Sequence, residues 1–129
     1  MKIQHVALWC TEIEVTREFY ISYFNATSNA KYVNPSTGFQ SYFLIFDNDV
    51  RIELMFKPTV QARLSRIEDE HIGFAHLSFK VENEEAVDAL TEQLRSDGYR
   101  IISNPRTTGD GYYGSVVICP DGNRIEITV

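Results

Sequence analysis

Apolar positions along this chain switch between strand spacing and helix spacing. Ile3 to Cys10 is an apolar run interrupted by His5, which predicts a strand. Thr11-Glu12-Ile13-Glu14 matches a capping box, in which the Thr11 hydroxyl caps an early N–H while Glu14 reaches back. Val15, Phe19, Tyr20, Tyr23 and Phe24 then recur at helical spacing, and Asn25 suits the left-handed turn that ends a helix. Thr27 to Thr37 is polar and predicts no more than a weak edge strand and a turn. Gln40 to Phe46 and Val50 to Phe56 are aromatic and β-branched, joined by Asp47-Asn48-Asp49, and predict a hairpin. Pro58 to Gly73 reads as a connector with a helical turn near Gln61 to Leu64. Ala75 to Val81 is a further strand containing His76. Asn83 caps a second helix, striped by Val87, Leu90 and Leu94 and ended by Gly98. Arg100 to Ser103, Tyr112 to Cys119 and Arg124 to Val129 complete the strands, with the turn Pro120-Asp121-Gly122-Asn123 before the last.

The order is strand, helix, three strands, and then the same again. His5-Val6-Ala7-Leu8 is answered by His76-Leu77-Ser78-Phe79, and Arg51-Ile52-Glu53-Leu54 by Arg124-Ile125-Glu126-Ile127. A two-fold repeat implies two equivalent half-domains, neither able to close a core alone. The expected organisation is one domain over 1–129: module one about 1–58, a connector 59–73, and module two about 74–129.

Composition narrows the function. A chain of 129 residues and 14.8 kDa holds one domain, and 43% hydrophobic with 23% charged residues excludes a disordered or fibrous chain. The net charge of −6, with no run of Lys or Arg, makes nucleic acid a poor partner. No apolar run approaches the roughly 20 residues of a membrane span, and the N-terminus lacks a signal peptide's pattern. Cys10 and Cys119 lie far apart in strand-like runs and read as buried thiols of a cytoplasmic protein.

Strand parity points to the chemistry. Residues two apart share a face. Opposite His5 lie Val6 and Leu8; opposite Glu53, Ile52, Leu54 and Phe56; opposite His76, Leu77, Phe79 and Val81; opposite Glu126, Ile125, Ile127 and Val129. In each strand the apolar face packs on helices, and the other carries one His or Glu at a matching place in the repeat. A lone His or Glu on a strand is usually solvated or hydrogen-bonded. Four of ligand type at equivalent places are harder to explain that way, and two carboxylates brought to one face call for a cation between them. Mixed imidazole and carboxylate donors suit Zn, Ni, Co, Mn or Fe.

The same residues resemble the vicinal oxygen chelate superfamily, and within it small glyoxalase I-like proteins. The resemblance spans Ile3 to Val129. It rests on Ile3-Gln4-His5-Val6-Ala7-Leu8, Phe19-Tyr20, Ile52-Glu53-Leu54, Gly73-Phe74-Ala75-His76-Leu77-Ser78-Phe79 and Pro120-Asp121-Gly122-Asn123-Arg124-Ile125-Glu126-Ile127. It implies an α+β fold of two βαβββ modules forming an open, curved eight-stranded sheet, with helices on the convex face and a metal on the concave one. It implies His5, Glu53, His76 and Glu126 as metal ligands, with Glu126 or Glu53 as catalytic base. The implied activity is that of a metal-dependent lyase or isomerase of glyoxalase I type, acting on a small substrate with two adjacent oxygens. The implied assembly is a homodimer. Trp9 stands where glyoxalase I often has an Arg that holds a glutathione carboxylate, so poor use of glutathione hemithioacetals is expected.

Three other classes compete. An extradiol-type dioxygenase wants two His and one carboxylate, and Glu53 is one ligand too many for it. An acyl-CoA epimerase would place an amide at the Glu53 position. A ligand-sequestering module of the bleomycin-resistance kind typically lacks all four ligands. Trp9, Tyr112 and Tyr113 are candidate pocket residues, although core packing for Trp9 and a plain hairpin turn for the tyrosines explain them equally well. Arg63 and Arg66 are candidates to meet an anionic substrate, against a plain solvated role, and His71 reads as a solvated loop residue.

Overall fold

The computed structural model describes residues 1–62, 64 and 66–129. They gather into two compact units, Met1–Leu64 and Ser65–Val129. The fold is α+β, with two helices and nine strands in two mixed sheets among the described residues.

The first unit runs β1 (Val6–Trp9), α1 (Ile13–Phe24), β2 (Thr27–Ser28), β3 (Tyr32–Val33), β4 (Gln40–Ile45), a 3₁₀ turn at Asp47–Asp49, and β5 (Arg51–Phe56). Its sheet has the order β1-β5-β4-β2, with β3 also on β4. β1 and β5 are parallel and the remaining pairs antiparallel. The polar stretch 27–37 thus yields two two-residue strands rather than one, which accounts for the ninth strand. The capping-box expectation needs correction. Glu12, not Thr11, is the residue before the first helical turn, and Glu14 turns away to Lys31 at 2.6 Å and to the Tyr42 hydroxyl at 3.1 Å. Asn25 takes the expected left-handed conformation, φ 53°, and its N–H bonds the Tyr20 carbonyl. Val15 is exposed instead of buried, because Ile13, Thr16, Phe19 and Tyr20 form the buried stripe. That stripe packs on β4 and β5, where Leu44, Ile52 and Leu54 are buried. Each such side chain stabilises by roughly 1.5–3 kcal/mol.

The second unit runs β6 (His76–Lys80), α2 (Glu84–Ser96), β7 (Ile101–Thr107), β8 (Tyr113–Ile118) and β9 (Arg124–Thr128), in the sheet order β6-β9-β8-β7. Again the first and last strands are parallel and the others antiparallel. Asn83 caps α2 as expected, its side chain accepting from the Ala86 N–H at 2.9 Å. Val87, Thr91 and Leu94 bury against β8, β7 and β9. Thr91 survives there because its hydroxyl meets both the Val87 carbonyl and the Ser115 hydroxyl at 2.6 Å. β7 runs four residues past its expected end and carries Pro105. That is possible because it is an edge strand with register shifts.

Cys10 and Cys119 are both buried, with no disulfide between them. Burial raises the Cys119 thiol above its ordinary pKa. Among the described residues no helix is long and apolar enough to cross a membrane. The expected helical turn near 61–64 includes Arg63, which lies outside the described residues, as does that residue's suggested contact with an anion.

Candidate metal centre

Each unit builds one His–Glu pair by the same ladder. In the first, Ala7 lies directly across from Glu53 in the parallel β1–β5 pair. His5, two residues before Ala7, shares its face and reaches Glu53 along the diagonal. The His5 Nε2 to Glu53 Oε2 distance is 3.4 Å. In the second, Ser78 lies across from Glu126 in the parallel β6–β9 pair, and His76 takes the same diagonal. Here Nε2 to Oε2 is 3.5 Å. The opposite faces of β5 and β9 are apolar, as parity predicts: Ile52, Leu54, Ile125 and Ile127 are all buried. A rigid apolar back face thus fixes each Glu at the front.

The hydrogen bonding around His5 fits a cation. Its Nδ1 is bonded to the side-chain oxygen of Gln4. That oxygen only accepts, so Nδ1 is the donor, and in the neutral ring Nε2 carries the lone pair. An ionised Glu53 also only accepts. Two lone-pair atoms facing one another are drawn together by a positive charge shared between them. A divalent ion answers that need, and an outer partner on the second ring nitrogen is the usual companion of a ligating His. Ligands held about 2.1 Å from an ion stand about 3.4 Å apart at the tetrahedral angle and about 3.0 Å at a right angle. The observed separations of 3.4 and 3.5 Å match the wider case. All four side chains retain solvent access, the most enclosed being Glu53 at 17%. Among the described residues, neither unit by itself gathers three or more His, Cys, Asp or Glu side chains suited to a metal. Each brings together one His and one Glu.

The surroundings of the two pairs differ. Phe43 lies directly across from Glu53 on β4, its ring 5.3 Å from the His5 ring and edge-on to it. The Arg51 guanidinium stacks over the same Phe43 ring at 4.3 Å. Trp9, on the His5 face of β1, is 46% exposed and stands edge-on to Phe39 at 6.3 Å. In the second unit Val116 occupies the place of Phe43, across from Glu126. Tyr112 is exposed just before β8. Tyr113 does not line the Glu126 face: its hydroxyl donates to Asp88 on α2 at 2.8 Å, on the helix side of the sheet. That contact raises the Tyr113 hydroxyl above its ordinary pKa. His71 is exposed, and Arg66 pairs with Glu68 at 3.8 Å. Arg124, on the Glu126 face, donates to the carbonyls of Ile67 and Glu68 and pairs with Glu70. With Arg100, Glu68 and Glu70 it lines a surface cleft of about 440 Å³.

Sequence reasoning missed Gln4, Phe43 and Arg51. Gln4 was visible only as the neighbour of His5. Phe43 follows from hairpin register, which the turn length alone left open. Arg51 was on the page as a repeat position, two residues before Glu53.

Comparison with known proteins bears on this site. Residues 2–127 match the family described as the Glyoxalase/Bleomycin resistance protein/Dioxygenase superfamily. An uncharacterized protein of Bacillus subtilis (strain 168), YqjT, is 27% identical over 132 residues, covering 97% of this chain and 94% of that one. A solved glyoxalase family protein from Enterococcus faecalis is 25% identical with a TM-score of 0.79, covering 99% of this chain and 97% of that one. Glyoxalase I from Zea mays shares the fold at a TM-score of 0.79 and 21% identity, over 98% of this chain and 44% of that one.

Proposed function

The chain belongs to the Glyoxalase/Bleomycin resistance protein/Dioxygenase superfamily, and from that premise we propose that it is a metal-dependent lyase or isomerase of glyoxalase I type. Its substrate is a small molecule with two adjacent oxygens. The observation that carries this reading is the repeated diagonal His–Glu pair, at 3.4 Å in one unit and 3.5 Å in the other. His5, Glu53, His76 and Glu126 are the ligands. A bound divalent ion, nickel or zinc by preference, supplies Lewis-acid stabilisation of oxyanion charge developing on the substrate.

The chain's own residues do the rest. Gln4 fixes the His5 tautomer by accepting from Nδ1. Ile125 and Ile127, buried behind Glu126, hold its carboxylate in place. Glu126 takes a proton from one substrate carbon and returns it to the next, with Glu53 as the alternative base. A homodimer is part of the proposal: His5 and Glu53 of one subunit would complete the ligand set with His76 and Glu126 of the other, and association would cover strand edges such as β7.

The test is elemental analysis of protein purified without chelator, followed by substrate incubation in deuterated water. About one nickel or zinc per chain, with deuterium entering the substrate carbon, is the expected result. Protein that binds neither added metal overturns the reading, and oxygen uptake during turnover would replace it with a dioxygenase. Light scattering that gives a 14.8 kDa monomer would exclude the shared arrangement.

A further inference from the structure

We propose that Arg51 is an anion-recognition residue, and that the substrate carries a carboxylate beside its two adjacent oxygens. The proposal rests on the reading above for one thing, the identification of the His5–Glu53 face as the face that meets substrate.

Arg51 lies on β5 two residues before Glu53, so the two share a face and stand about 6.6 Å apart along the strand. Phe43 organises the group. It sits across from Glu53, meets the His5 ring edge-on, and carries the Arg51 guanidinium over its own ring at 4.3 Å. Stacking of this kind orients a guanidinium without using its N–H donors. The Arg51 Nε is buried with no hydrogen-bond partner, and among the described residues no carboxylate pairs with Arg51.

The other unit provides the control. Arg124 holds the same ladder position, two residues before Glu126, and there the protein itself satisfies the guanidinium. Two backbone carbonyls, of Ile67 and Glu68, accept from its Nη2, and the Glu70 carboxylate pairs with its charge at 3.6 Å. One arginine of the repeat is spent on a loop, and the other is aimed and left open beside a candidate ligand pair. A planar fork of donors is the shape that a carboxylate fills with two parallel hydrogen bonds. Trp9, edge-on to Phe39 on the same face, offers an apolar wall for the uncharged body of such a molecule.

The experiment uses a matched pair of probes, 3,4-dihydroxybenzoate and 3,4-dihydroxybenzamide. Both present the same two vicinal oxygens, and they differ only in the charge on the far side of the ring. Calorimetry on nickel-loaded wild-type protein should show the carboxylate bound about 10- to 100-fold more tightly than the amide, the range of a charge-assisted hydrogen bond. Arg51→Gln should remove that preference and leave amide binding unchanged, while Arg51→Lys should recover part of it. Added salt should shrink the wild-type preference, a reading that needs no variant to fold. A wild-type protein with no preference, or an Arg51→Gln protein that loses both probes alike, overturns the assignment. Nickel titration of the same samples reads the metal separately. Protein that binds nickel without discriminating sinks the Arg51 proposal alone. Protein that discriminates without binding nickel supports Arg51 and sinks the metal reading.

Discussion

The two units share a ladder and differ in nearly everything laid upon it. Both place a His two residues before the partner of a Glu on a parallel neighbour, and both set the pair within 3.4–3.5 Å. Around the first pair stand Phe43 and Arg51, with Trp9 further along the same strand face. The matching positions in the second hold Val116, Arg124 and Lys80. A donor pair is set by backbone register, which few side chains disturb. The shell around it depends on single side chains, each free to change without moving the backbone. The His–Glu geometry is therefore duplicated, while the aromatic and arginine contacts around it belong to the first unit alone.

The largest break in that symmetry should come from the carboxylates. Glu126→Gln is expected to lower turnover by about 10²–10⁴, the usual cost of a lost general base, with the fold intact. Glu53→Gln should lower metal content more than it lowers the rate per bound metal. Turnover and metal content measured together decide this, and a fully metallated Glu126→Gln protein with normal turnover would move the base to Glu53. His71→Ala is the control and should change neither quantity.

The ligand pairs themselves should be equivalent. His5→Ala and His76→Ala should each weaken nickel binding beyond the roughly 10- to 100-fold that losing an outer partner of a ligand costs. Chelator competition measures both. A His76→Ala protein with normal affinity would show that only the first pair binds.

Packing beside the two pairs should differ next. Gly114 matches Ser41, each being one strand position across from the residue two beyond the Glu. A Cβ at Gly114 would come within 2.7 Å of the Ile127 carbonyl. Gly114→Ala is therefore expected to cost about 1–3 kcal/mol through overpacking. Ser41→Ala should cost less, and thermal melts of the two variants make the comparison.

The smallest effect is the pH dependence that the first unit owes to Glu14. Contact with Lys31 holds the Glu14 carboxyl below its ordinary pKa, burial opposes this, and the Tyr42 hydroxyl adds to it. A depressed carboxyl stabilises above the unfolded pKa and loses that contribution as pH falls through the folded value. Glu14→Gln should flatten this acid-side loss by less than about 1 kcal/mol, since solvent screens so exposed a pair. Acid denaturation curves of wild type and variant provide the check.

Much of this was legible before any coordinates. The repeat showed two like units, and the alternation around Glu53 and Glu126 showed which face was apolar, because burial in a sheet has a period of two. Helix ends were legible where a side chain or a left-handed turn acts locally, as at Asn83 and Asn25. They were misread at Glu14, whose partners Lys31 and Tyr42 are distant in sequence. Val15 was misassigned because a helical stripe can be drawn through several sets of apolar residues, and only the packed sheet selects one.

The sequence by itself determined the two-module α+β plan, the membership of the family and the four residues of ligand type. Periodicity and repeat are properties of the order of residues, and each strand reports its own faces. Only the tertiary structure decided the diagonal meeting of His5 with Glu53 and of His76 with Glu126, the turning of Tyr113 toward Asp88, and the contrast between an engaged Arg124 and an open Arg51. Those depend on which strand lies beside which and in what register. Register is set jointly by turns, core and neighbouring strands, so no single stretch of the chain contains it.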